Sequence, residues 1–250
     1  MPYTRKPEMI MFDVGGTLFG PGVFSARNGL AALRLAATNP QQSTDNELVA
    51  LWDRYEKEIG SGHKSESGIN LEHPLSAALK YITMTAGLHF DISIAEQEEI
   101  FDRHNSTRTL LDGVPELLET IHSLGIRAAI ISNNAMSGDG LKLAVKRWIP
   151  EEKMEFCLTS ADLLFTKPCS EIFIAAANYA HLDPSECWYC GDGRIPDVDG
   201  ALNAGMIPVL IDTASTVPSE IRADGGREYL AINSWHELTQ YLKAKFKNVS

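Results

Sequence analysis

Four short stretches of this chain end in groups that can do chemistry. Met9-Ile-Met-Phe12 runs into Asp13, followed by Val-Gly-Gly-Thr-Leu18. Ala128-Ala-Ile-Ile131 runs into Ser132-Asn-Asn134. Cys187-Trp-Tyr-Cys190 runs into Gly191-Asp192, with Asp197 five positions further on. Thr166-Lys-Pro168 lies between the last two. If these stretches are neighbouring parallel strands, Asp13, Ser132 and Asp192 emerge at one edge, and Lys167 can join them. Crowded carboxylates repel unless a cation or proton intervenes. Hard oxygen ligands suit Mg²⁺, which keeps waters and takes a substrate oxygen. A lysine, a hydroxyl and backbone N–H groups suit a phosphate.

The surrounding pattern supplies such strands. Met9–Asp13, Arg127–Ser132, Phe156–Thr159, Cys187–Gly191 and Ile207–Ile211 are short, apolar and nearly continuous, as strands covered on both faces are. Tyr229–Ile232 is a weaker sixth. Helical spacing recurs between them, over Pro115–Leu124, Leu141–Trp148, Ser170–Ala180, Val198–Ala204 and Trp235–Phe246. Alternating strands and helices predict right-handed crossovers and a parallel sheet, with ligands beyond the carboxyl ends of the strands. Residues from about Pro21 to Thr107 break the rhythm. Four amphipathic stretches, Ala26–Ala37, Asn46–Ile59, Pro74–Ala86 and Ala95–Asn105, carry no convincing strand. They read as a helical insertion, entered at Gly20-Pro-Gly22 and left at Arg108–Gly113.

Composition narrows the partners. The 250 residues carry a formal net charge of −11, with 44% hydrophobic and 22% charged residues. This is globular composition, with ample chain to bury a core. The acidic balance argues against nucleic acid and anionic membrane, because both demand basic patches. No apolar run approaches the roughly 20 residues of a membrane span, and the amino terminus has no signal-like apolar core. A cytoplasmic protein, monomeric or homodimeric, is the expectation. Cys187 and Cys190 form a C-x-x-C, but on a strand their sulfurs point to opposite faces, so they read as buried structural residues. The tryptophans at 52, 148, 188 and 235 read as packing residues.

The ordered motifs resemble the haloacid dehalogenase (HAD) superfamily. Phe12-Asp-Val-Gly-Gly-Thr-Leu18 is similar to its first motif, aspartate-x-aspartate-x-threonine. Ile131-Ser132-Asn133 is similar to the second. Lys167-Pro168 before Glu171-Ile-Phe173 is similar to the third, and Gly191-Asp192 with Asp197 before Gly200-Ala-Leu-Asn-Ala-Gly-Met206 to the fourth. The resemblance implies an α/β fold: a HAD-like, Rossmann-like parallel sheet over residues 1–20 and 108–250, with an all-helical cap domain over 21–107. It implies a Mg²⁺-dependent phosphatase of a small phosphorylated metabolite. Asp13 would attack phosphorus to give an aspartyl-phosphate. Asp13, the carbonyl of Gly15, Asp192 and Asp197 would serve the metal. Ser132, Asn133 through its N–H, and Gly16 would cradle the phosphoryl group. Lys167 would screen the nucleophile and stabilise the equatorial charge.

One position departs from the pattern. Family phosphatases carry a second aspartate where this chain has Gly15; that aspartate protonates the leaving group and then activates water. Such acid–base help is worth about 10²–10⁴-fold in rate. A slow enzyme, a proton donor from the cap (His63, Glu66 or His73) or a leaving group that needs no proton would each accommodate the glycine. Relatives without the acid include 2-haloacid dehalogenases and phosphonoacetaldehyde hydrolases. The former is disfavoured by Asp192; the latter needs a cap lysine, for which Lys57 and Lys64 exist. A catalytically weak phosphate-binding protein is the alternative outside enzymes.

Overall fold

A computed structural model of the chain describes residues 2–58, 71–150, 153–217 and 219–246. Seven strands form one sheet: β1 (Met9–Phe12), β2 (Arg127–Ser132), β3 (Cys157–Thr159), β4 (Cys187–Gly191), β5 (Ile207–Ile211), β6 (Glu220–Asp224) and β7 (Arg227–Ile232). Their spatial order is β3-β2-β1-β4-β5-β7-β6. Every pairing is parallel except β6 with β7. The five continuous apolar strands and the weaker sixth are all present. The parallel expectation fails only at the edge, where β6 was not foreseen. Its Glu-Ile-Arg-Ala-Asp sequence is mostly exposed, so it carries no core signal. The available clue was Gly225-Gly226, whose φ values of 56° and 80° form the two-residue hairpin loop between β6 and β7.

Period-two alternation divides the apolar strand residues between two faces. Met9, Met11, Ala129, Ile131, Cys187 and Tyr189 pack with Ile172, Phe173, Ala176 and Ala177 of α8 (Ser170–Tyr179) and Ala201 of α9 (Gly200–Ala204). Ile10, Phe12, Ala128, Ile130, Trp188 and Cys190 pack with α5 (Val114–Ser123), α6 (Gly138–Val145) and α10 (Trp235–Phe246). Cys187 and Cys190 are therefore buried on opposite faces, and all four cysteines are free. A short helix, α7 (Ser160–Leu163), follows β3.

The segment after β1 is helical where described: α1 (Ala26–Ala36), α2 (Asp45–Glu58), α3 (Leu75–Thr85) and α4 (Ile94–Asn105). Its interior (Leu30, Leu33, Leu48, Leu79, Ile82, Phe101) is continuous with one face of the sheet's core. No described helix is long and apolar enough to cross a membrane.

Glu98 ties α4 to α6. It is fully buried and accepts hydrogen bonds from the Ser137 backbone N–H at 3.2 Å and from the Ser137 hydroxyl. Ser137 in turn caps α6. Helix α6 begins at Gly138, three residues earlier than the apolar spacing predicts, because the Ser137 cap, not an apolar face, sets its first turn Gly-Asp-Gly. Burial holds the Glu98 carboxyl above the ordinary glutamate range, Ser137 pulls it partway back, and the charge of Asp162 raises it further. A raised carboxyl stabilises the fold below its unfolded-state pKa and loses that contribution as pH rises through the folded-state value. Glu98→Gln should therefore compare more favourably with the wild type at about pH 7 than at about pH 4 in urea denaturation. A difference that is flat with pH, or that runs the other way, contradicts a buried charge at Glu98.

Candidate active site

The chain passes from β3 across the sheet to β4, so β1 lies between β2 and β4. This reversal opens a crevice beyond the carboxyl ends of those strands, the usual ligand position in open parallel sheets. Asp13 follows β1, Ser132 ends β2 and Asp192 follows β4. A cavity of about 380 Å³ is lined by Asp13, Gly15, Ser132, Asn133, Lys167, Asp192 and Asp197, together with Arg108 and Asn134. Seven of the eight residues expected from sequence line it. The eighth, Gly16, lies directly beneath Asp192.

Lys167 is the hub. It is 5% exposed, and its Nζ donates to Asp13 Oδ1 at 2.8 Å, Asp197 Oδ1 at 2.6 Å and the Tyr189 hydroxyl at 2.9 Å. Those three acceptors use all the donors of an ammonium. Burial pushes the Tyr189 hydroxyl far above its ordinary range, so it keeps its proton and donates to the Ile131 carbonyl at 2.8 Å. The second Asp197 oxygen accepts from the Gly193 N–H at 2.7 Å. Burial raises the Asp197 carboxyl and the ammonium beside it pulls it back. Both oxygens of Asp197 are thus engaged in holding Lys167 and the turn after β4.

One carboxylate oxygen from each of Asp13, Asp192 and Asp197 lies within 4.8 Å of the others. Asp192 is the most open of the three, and Thr17 Oγ1 donates to it at 3.3 Å. Burial and then the charge of Asp13 raise the Asp192 carboxyl above the ordinary aspartate range. Lys167 neutralises the Asp13–Asp197 side of the group, which leaves Asp192 facing Asp13 without a cation of its own. An all-oxygen, crowded donor set of this kind fits a hard divalent cation.

Backbone shape brings these groups close. Gly16 has φ of 73°, and a Cβ there would stand 2.2 Å from Asp192 Oδ2, so only glycine lets the loop after β1 pass beneath that carboxylate. Gly15 is different: a Cβ there meets nothing within 4 Å, so the turn does not require glycine at this position.

The supporting roles of three side chains escaped the sequence reading. The Asn133 side chain is taken up by Lys167: its amide nitrogen donates to the Lys167 carbonyl at 3.1 Å and its amide oxygen accepts from the Lys167 N–H at 2.7 Å. Tyr189 sits in an apolar strand, where a core role is the ordinary reading. Trp235 packs as expected, and its Nε1 also donates to the Thr17 carbonyl at 2.9 Å. Only tertiary pairing reveals these roles. His63, Lys64 and Glu66 lie outside the described residues. His73 is described but does not line the cavity, and neither does the exposed Lys57.

Comparison with known proteins gives the family. The haloacid dehalogenase-like hydrolase pattern matches residues 7–205, and the chain belongs to that family. It is a hydrolase by that membership. Over 151 residues it is 28% identical to human haloacid dehalogenase-like hydrolase domain-containing protein 3, covering 58% of this chain and 57% of that relative's length. It is 23% identical to the glyceraldehyde 3-phosphate phosphatase of Methanopyrus kandleri, covering 96% and 99% of the two chains. Among solved structures, a 2-haloacid dehalogenase from Pseudomonas syringae superposes with a TM-score of 0.60 at 22% identity, covering 95% of this chain and 99% of that one. A HAD phosphatase from Thermococcus onnurineus gives 0.54 at 18% identity, covering 94% and 97%. Both structural likenesses establish the shared fold.

The Lys167 hub makes a prediction of its own. Lys167→Met leaves two buried carboxylates facing each other without their ammonium, and should cost about 3–5 kcal/mol of stability near neutral pH. Adding Asp13→Asn should restore part of that loss. Denaturant titration of the single and double variants checks it. Additive losses would show that the buried pair is not coupled.

Proposed function

We propose that the protein is a Mg²⁺-dependent phosphatase of a small phosphate monoester, working through an aspartyl-phosphate on Asp13. The observation that supports it best is the meeting of Asp13, Asp192 and Lys167 at one strand edge, with Ser132 on the same wall. Asp13 is held by Lys167 through Oδ1, which leaves Oδ2 to attack phosphorus. The ammonium lowers the repulsion between that carboxylate and a phosphate dianion. Ser132 Oγ and the Asn133 N–H would hold phosphoryl oxygens, with the Asn133 side chain clamped to Lys167 so that its backbone faces the cavity. Asp13, Asp192 and the Gly15 carbonyl would hold Mg²⁺; Asp197 would serve that site chiefly by fixing Lys167. The bound ion would neutralise charge on the phosphoryl oxygens.

The reading extends to organisation. Residues 21–107 would form the cap that selects substrate, and residues 1–20 and 108–250 the catalytic core. Two phosphatase-named archaeal relatives agree with the chemistry, the second being that of Methanothermobacter thermautotrophicus at 25% identity. Free cysteines and the acidic balance agree with a cytoplasmic enzyme, monomeric or homodimeric, that acts on a small molecule and not on nucleic acid or membrane. Carbon–halogen hydrolysis accounts less well for Asp192, since a site that expels halide gains nothing from an added carboxylate.

p-Nitrophenyl phosphate supplies the test. Hydrolysis should require Mg²⁺, stop with a chelator, and fall by roughly 10³-fold or more in Asp13→Asn. Tight binding of phosphate analogues with no turnover across a broad panel of phosphorylated metabolites would favour a phosphate-binding protein instead. A second variant probes the missing acid. Because space is open at Gly15, Gly15→Asp should fold and raise kcat for an alkyl phosphate by about 10- to 100-fold. An unchanged or lower rate would show that a carboxyl at this position cannot reach the leaving oxygen.

A further inference from the structure

A second cavity, of about 410 Å³, adjoins the first and has no role in the chemistry so far. It lies between the helical segment and the loop after β2, and Arg108 and Asn134 line both cavities. Three aromatic rings, Phe24 ahead of α1, Trp52 on α2 and Phe101 on α4, share its lining with polar groups that include Glu56, Asp102 and Asn105. Trp52 stacks on Phe101 with centroids 5.2 Å apart, and Phe24 meets Phe101 edge-on at 6.5 Å. Phe24 is 61% exposed, an unusual position for a phenylalanine unless its ring meets something else.

Arg108 stands where the two cavities meet. Its Nη2 donates to Asp102 Oδ2 at 2.8 Å, and its guanidinium lies 5.5 Å from the Phe19 ring centroid. Asp102 is shared with Arg147 Nη2 at 3.0 Å, so it does not cancel the charge of Arg108. The Arg108 Nε–H is buried and has no hydrogen-bond partner among the described residues. The guanidinium as a whole borders both cavities, where its charge favours an electron-rich ligand atom. The exposed Glu56 also lines this cavity and disfavours a second negative charge in the leaving moiety.

The carboxylates of the first cavity are committed. Asp197 is bonded through both oxygens, Asp13 is the attacking group, and Asp192 faces the metal position. Gly15 has no side chain. No other described carboxyl or imidazole lines that cavity to protonate a departing oxygen.

From these observations, and resting on the phosphatase reading, we infer that the second cavity is the leaving-group pocket and that the substrate is the phosphate ester of a flat, apolar, acidic alcohol: an aryl phosphate. The Asp13 Oδ–phosphorus bond forms as the phosphorus–oxygen bond to the leaving group breaks. The departing oxygen keeps the electron pair as an aryloxide, which the positive charge of the Arg108 guanidinium stabilises until it takes a proton from solvent. Water then attacks phosphorus, the bond to Asp13 breaks, and inorganic phosphate leaves with the carboxylate restored. The ring occupies the Phe24–Trp52–Phe101 walls meanwhile.

Steady-state kinetics on the wild type with phenyl, benzyl, 2-naphthyl and propyl phosphate test this. Phenyl and benzyl phosphate match in shape but differ in leaving-group acidity, and an enzyme that protonates its leaving group treats them nearly alike. The expected result is phenyl over benzyl by about 100-fold or more in kcat/KM. The pocket is read separately through Phe24→Ala and Trp52→Ala. Each should raise KM for 2-naphthyl phosphate by about tenfold while inhibition by inorganic phosphate stays unchanged. Near-equal turnover of benzyl and phenyl phosphate, or an unchanged KM for 2-naphthyl phosphate in the exposed Phe24→Ala variant, would overturn the inference and leave the phosphatase reading intact. No turnover of any of the four esters would overturn both.

Discussion

The buried ammonium of Lys167 is the interaction on which this site depends. An unpaired charge at that depth would be prohibitive, and two carboxylates beside each other would be no better. Together they are tolerable, because Asp13, Asp197 and the Tyr189 hydroxyl each accept one Lys167 proton. The arrangement also fixes direction. One Asp13 oxygen is held by Lys167, and the turn after β4 is held by the second oxygen of Asp197. The same contacts that make the buried charges tolerable fix the position of the Asp13 carboxylate.

The sheet makes that hub possible. Parallel pairing of β1 with both β2 and β4 brings three strand ends to one edge, though they are far apart in sequence. Lys167 reaches them from the loop after α7, and the Asn133 amide pins that loop by pairing with both backbone groups of Lys167. On the other side, Trp235 of the last helix holds the Thr17 carbonyl, and Thr17 holds Asp192. The helical segment is not a detached appendage. It shares a continuous apolar interior with the sheet and is anchored at the start of α6 through Glu98.

Much of this was legible from residue order. Strands buried on both faces are nearly continuous apolar runs, so β1, β2, β4 and β5 stand out, and polar residues at their carboxyl ends mark the site. Asp13, Ser132 and Asp192 were readable for that reason, and Lys167 and Asp197 through the spacing of the motifs that carry the family resemblance. Strand β6 was not, because an exposed edge strand has no apolar face to betray it. The side-chain roles of Asn133, Tyr189 and Trp235 were not legible: Asn133 reads as a backbone N–H donor, Tyr189 as part of an apolar strand and Trp235 as a packing residue, and the partners lie 34, 22 and 218 residues away. Arg108 was hidden more completely. It falls in the segment leaving the helices, where a basic side chain reads as solvated, and only the packing of Phe19 and Asp102 around it shows otherwise.

Gly15 gives the site its particular character. The loop after β1 needs glycine at position 16 but not at 15, so the missing side chain is a chemical feature and not a conformational one. On the proposed reading, the cavity that holds Asp13, Lys167 and Ser132 has no further carboxyl or imidazole beyond Asp192 and Asp197 among the described residues. The account stands or falls on Asp13 as the attacking group. Rapid acid quench during turnover of an aryl phosphate, followed by peptide mass spectrometry, addresses that directly. The account predicts a phosphoryl group on the peptide that carries Asp13; sustained turnover with that peptide unmodified, or with the phosphoryl group on another residue, would contradict it.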